Sequence, residues 1–199
     1  MPASTDAVSR TLQHPRRSLG NRHRSQAVKF LSLADSDSQN LEWAEQSARQ
    51  AVLHDFTNPQ NWRTLVQVKL VTGDDSGIRA VLNELFTILG RDPEALSQLD
   101  GVSMIESGSA ILEASLKADS LDPDEWWESV SQSDDALVEF IERVINLDLS
   151  DQRANLLFSR RLERVRHTGM EDQYLKLSRV LLAQRPSNHE AWAELGRMH

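Results

Sequence analysis

Apolar side chains recur every three or four residues along most of this chain, the spacing of one face of an α-helix. Leu175, Leu177, Val180, Leu181 and Leu182 form such a stripe, which predicts a helix over 170–184 that Pro186 stops. Ala44, Ala48 and Ala51 recur at spacings of four and three near the front, followed by Trp62 and Leu65. Val81, Leu85 and Ile88 lead to Pro93, Ile111 to Ala118 runs into Leu121-Asp122-Pro123, and Leu137 to Val144 runs into Leu147-Asp148-Leu149. Between these stretches, 94–100 and 124–131 read as short helices. Asp74-Asp75-Ser76-Gly77 reads as a turn carrying an insertion.

The same punctuation returns at a fixed period. Gly169, Pro186, Trp192, Leu195 and Gly196 follow one another as G…P…W-x-x-L-G, which resembles the 34-residue pattern of the tetratricopeptide repeat (TPR) family. The small residues Ala44 and Ala51, with Trp62, Leu65 and Gly73, are similar to that pattern a second time. Phe56 stands where the family usually has Pro, and Tyr174 and Ser178 depart from the usual small or aromatic residues. The resemblance spans residues 25–199, strongly at both ends and loosely between. It implies an all-α fold: a right-handed α-α superhelix of about five stacked antiparallel helix pairs, a TPR-like solenoid. Such pairs cannot bury an apolar stripe alone and are stabilised by their neighbours. The family's usual use of the fold, holding an extended peptide or partner helix in a concave groove, is then the expected function.

Composition narrows this reading without redirecting it. Five Phe and one Tyr, set against plentiful Leu and Ala, favour helices over sheets. The 199 residues contain no Cys, so neither a disulfide nor a thiol nucleophile is available, and a cytoplasmic location is expected. No apolar run approaches the roughly 20 residues that span a bilayer, and no membrane association is expected. The net charge of -8 argues against a general nucleic-acid binder. Residues 1–24, however, hold five Arg against one Asp. With Pro, Gly and Ser and little apolar periodicity, they read as a basic flexible tail. That tail leaves open a targeting role or a contact with nucleic acid.

Catalytic motifs fail residue by residue. Asp35-x-Asp37-x-Gln39 lacks the Gly and Glu of a calcium loop, having Asn40 and Gln46 instead. His189-Glu190 is followed by Ala193 where a zinc protease needs its second His. Gly101-Val102-Ser103 lacks the closing Gly of a nucleophile elbow. No enzyme activity, cofactor or metal is expected. Two features suggest binding. Arg153, Arg160 and Arg164 share a helix face at spacings of seven and four and could clamp carboxylates of an acidic peptide. Trp126 and Trp127 point about 100° apart, so one ring packs inside while Trp127 is the candidate anchor.

The leading expectation is therefore an interaction scaffold for a protein or peptide partner. The alternatives are the N-terminal arm of a longer enzyme or regulator, or an RNA-processing scaffold built from half-a-TPR-like repeats. Asn188 to His199 reads as the opening of a further repeat. The array is thus expected to be cut short at its C-terminal end, and to continue or to dimerise there.

Overall fold

The computed structural model describes residues 15–92, 94–147, 151–183, 193 and 195–197. Ten helices follow one another, with no strand among the described residues. They are α1 (Pro15–Ser32), α2 (Gln39–His54), α3 (Pro59–Val71), α4 (Asp75–Ile88), α5 (Glu94–Ser97), α6 (Met104–Ala118), α7 (Pro123–Val130), α8 (Asp134–Asn146), α9 (Gln152–His167) and α10 (Glu171–Ala183). The chain divides into two compact units. One comprises residues up to Leu82 with Val102–Ala114, the other Asn83–Gly101 with the residues from Ser115 onward.

In the first unit α1, α2 and α3 each pack on the other two. Ala44, Ala48 and Ala51 are fully buried, as are Trp62 and Leu65. Small side chains on α2 admit a close approach, and the large ones on α3 fill the space behind it. The α2–α3 connection is tied by side chains. Asn58 caps α3 by accepting from the Gln60 amide at 3.0 Å, with Pro59 in the first helical position. Buried Asn61 donates to the Ala51 and Asp55 carbonyls at 3.0 and 2.8 Å, satisfying orphan acceptors at the end of α2. Trp62 Nε1 donates to the Phe56 carbonyl at 2.7 Å.

The first helix corrects the tail boundary. Residues 15–24 are helical, not a flexible extension, because Gly20 lies against Asp55 Cβ, the Asn61 amide and the Ala51 carbonyl, where no larger side chain has room. Arg24 Nη1 donates to Asn61 Oδ1 at 3.2 Å. Helix formation here follows from a close helix–helix contact, a signal that apolar periodicity does not carry. Residues 1–14 lie outside the described residues.

The expected Asp74–Gly77 insertion is also corrected. Asp74 accepts from the Gly77 amide at 2.8 Å as a cap, and Asp75 opens α4. Asp75 then caps a second helix, accepting from the Met104 and Ile105 amides at 2.7 and 3.1 Å at the start of α6. That helix begins seven residues before the expected Ile111. The short 94–100 helix shrinks to one turn.

In the second unit α7 contacts α8 and α9, and α10 contacts α8 and α9. Its core is aromatic. Trp126 and Phe140 lie 4.6 Å apart between ring centroids, and Phe140 stacks on Phe158 at 5.6 Å. Asp122, Ser133 and Asp151 cap α7, α8 and α9 through amides two or three residues ahead. At the end of α4, the Arg91 amide reaches the Phe86 carbonyl at 2.9 Å and the Gly90 amide reaches Thr87 at 3.1 Å, a Schellman termination. The Pro186 and Trp192 positions of the last repeat fall outside the described residues. Leu195 is buried and Gly196 exposed.

Candidate functional site

The basic face read from the sequence lies on α9, but its three arginines have different fates. Arg153 is half-buried at the start of the helix. Its Nη1 meets Glu84 Oε1 at 2.5 Å and its Nη2 meets Asp151 Oδ2 at 2.7 Å. Burial works to lower the Arg153 guanidinium, yet the hydrogen bonds to Asp151 and Glu84 outweigh it and hold it above its ordinary value. Arg153 is thus committed within the unit rather than offered to a ligand.

Arg164 pairs with Asp124 of α7 at 2.7 Å, a surface contact open enough to exchange partners. Arg160, half-buried, makes no ion pair with another described residue. Asp124 and Trp127 stand three apart on α7 and share a side of it. Arg164 thus meets α7 through Asp124, with Arg160 one turn earlier on α9 and Trp127 one turn on from Asp124 along α7. Trp126 is buried, and Trp127 is half-covered with its ring 6.0 Å from that of Trp126.

One arginine of the same helix is buried completely. Arg161 places its guanidinium 5.1 Å from the Trp126 ring centroid and 5.3 Å from that of Phe158. Its Nη2 donates to the Ser120 carbonyl at 2.9 Å and lies 2.7 Å from Oδ1 of Asp119, itself 1% exposed. Asp119 Oδ2 accepts from Arg143 Nη1 at 2.6 Å and lies 3.5 Å from Arg91 Nη2. Burial pushes Arg161 down to about 10, against the pull of Asp119 in the opposite direction. The sequence carried a signal for this residue. Ala154, Leu157, Phe158, Leu162 and Val165 form the apolar stripe of α9, and Arg161 occupies a position inside it. A cation within a stripe must find a buried counter-charge.

A third feature is apolar. On α8, Phe140 and Val144 are buried, Leu137 and Ile141 half-buried, and Val138 and Ile145 more than half exposed, at 54% and 51%. At about 100° per residue these six cover an arc of roughly 160°, wider than the contact that buries it. Val138, Ile141 and Ile145 stand at spacings of three and four, a continuous ridge on the uncovered side.

Among the described residues no group of three His, Asp or Glu has the arrangement of a metal site, and no helix is long and apolar enough to cross a membrane. No protein-family model, curated protein or solved structure matches the chain.

Proposed function

We propose that this chain is an interaction scaffold whose stacked helices hold a protein or peptide partner, in the manner of tetratricopeptide repeats. The observation that carries the reading is the over-wide apolar arc of α8. A helix normally shows water only its polar side, and an ordered apolar ridge left facing solvent is the usual mark of a surface that something else covers. The ridge Val138–Ile141–Ile145 has the i, i+3, i+7 spacing by which helices grip one another.

Two further observations support the stacked-repeat form. Each unit packs helices on their first and second neighbours in sequence. The small positions Ala44 and Ala51 and the large positions Trp62 and Leu65 are all buried, as the repeat reading expects. On α9 and α7, Arg160, Arg164 and Trp127 offer polar and aromatic side chains suited to an acidic partner segment. The lack of Cys fits action in the reducing cytoplasm.

The test is co-purification from the chain's own host with Val138→Lys combined with Ile145→Lys. Both side chains are exposed, so the fold should persist while partner recovery is lost. Recovery unchanged by the double variant would remove α8 from the interface.

A further inference from the structure

We propose that the arginine cluster around Asp119 is a binding site for a small tetrahedral oxyanion of the phosphate class. The inference rests on charge and on unmet hydrogen bonds. Three guanidinium groups, from Arg91, Arg143 and Arg161, converge on one buried carboxylate. Glu139 approaches Arg143 at 3.6 Å but is well exposed, so its charge lies in water at the rim. The interior of the cluster is therefore left with more positive than negative charge, which burial makes costly unless an anion completes it.

The donors agree with the charge. Arg161 is fully buried, yet its Nε and Nη1 have no acceptor, and neither do Nε of Arg91, Nε of Arg143 or Nε1 of buried Trp126. Five unmet donors on four side chains gathered around one carboxylate exceed what native interiors usually leave unsatisfied. Asp119 Oδ1, 2.7 Å from Arg161 Nη2, is itself without a hydrogen-bond partner, but one carboxylate oxygen accepts at most two bonds and leaves donors in excess. An oxyanion with several acceptor oxygens supplies both the missing charge and the missing acceptors, and arginine forks are the side chains best shaped to take one.

The cluster is not sealed. Arg143 and Arg91 keep 17% and 33% of their side chains exposed, so the cluster reaches the surface at these two residues while Arg161 is buried. Arg161 is held in place by the Ser120 carbonyl and by the Trp126 and Phe158 rings, so the deepest donor is fixed before a ligand arrives.

Isothermal titration of the full chain with inorganic phosphate, and separately with sulfate, tests this against chloride at matched ionic strength. Saturable binding of phosphate or sulfate is expected, with no such signal for chloride. Arg91→Gln should weaken it at least about tenfold, the cost of one charge-assisted hydrogen bond. Exposed Arg22→Gln should leave it unchanged. Arg161→Met, an apolar replacement that can keep the fold, should abolish binding, and circular dichroism checks that it is folded. Equal responses to all three anions, or binding untouched by both Arg91→Gln and a folded Arg161→Met, would overturn the proposal and leave the cluster as a closed ion network.

Discussion

Replacing Gly90 with Ala separates two physical costs at a single turn. Gly90 ends α4 with φ of 66°, the left-handed region that a side chain disfavours by about 1–2 kcal/mol. A Cβ built there would also lie 2.7 Å from Leu147 Cδ1 and 2.8 Å from Phe158 Cζ. Both atoms belong to buried side chains that cannot swing into water. Overpacking of this kind costs about 1–3 kcal/mol, and the stiffer unfolded chain of the variant returns about 0.4–1 kcal/mol. The expected net loss is therefore about 1–5 kcal/mol, centred on about 3 kcal/mol.

Gly169 provides the control within the same unit. It too has positive φ, at 87°, but no atom lies within 4 Å of the added Cβ. Gly169→Ala should lose only the backbone term, on the order of 1 kcal/mol. Urea unfolding of both variants beside the parent, followed by circular dichroism, measures the difference. If Gly90→Ala costs no more than Gly169→Ala, the packing of Leu147 and Phe158 over the end of α4 is wrong.

Two further outcomes follow from other contacts. Ala51→Leu, at a fully buried small position on α2, should cost about 1–3 kcal/mol in the same urea assay, and no loss would mean that α1 and α3 do not close on α2 there. The Arg153 hydrogen bond holds the Asp151 carboxyl below its ordinary 3.8, so the folded state binds this proton less readily than the unfolded chain and the pair stabilises at neutral pH. That advantage over Asp151→Asn, which keeps an amide-accepting cap, should be constant above about pH 5 and shrink as pH falls below about 4; a stability difference independent of pH down to acid unfolding would contradict the pairing.

Helices were legible in this chain because periodicity and caps are local. Asn58-Pro59, Asp122-Pro123 and Ser133 announce their helix starts directly, and the alanines of α2 announce a close contact. What escaped notice depended on partners distant in sequence. Gly20 draws α1 onto α2 and α3 through the space it leaves, so residues 15–24 read as a tail by composition alone. The helix at Met104 owes its first turn to Asp75, 29 residues earlier, which no local motif encodes. The site was less legible still. Helical spacing put Arg153, Arg160 and Arg164 on one face but could not supply Glu84 or Asp124, the carboxylates that occupy two of them. Arg161, by contrast, was visible as a charge within an apolar stripe. Asp119, Arg91 and Arg143 give no comparable signal, since each acquires its role only where separate segments meet.

The claim that the chain works as a scaffold rests on the uncovered ridge of α8. It is tested most directly by quantifying, with isotope labels, the proteins recovered from the native host on the parent chain and on the Val138→Lys, Ile145→Lys variant. Glu142→Lys on the same helix serves as the exposed control. A scaffold using this ridge should lose a defined partner at least about tenfold in the double variant, since two apolar contacts of roughly 1 kcal/mol or more are replaced by charge. The control should retain that partner at the parent level, with all three proteins giving the same helical circular dichroism. Equal recovery of every protein by the parent, the double variant and the control would contradict a partner-holding role for this face.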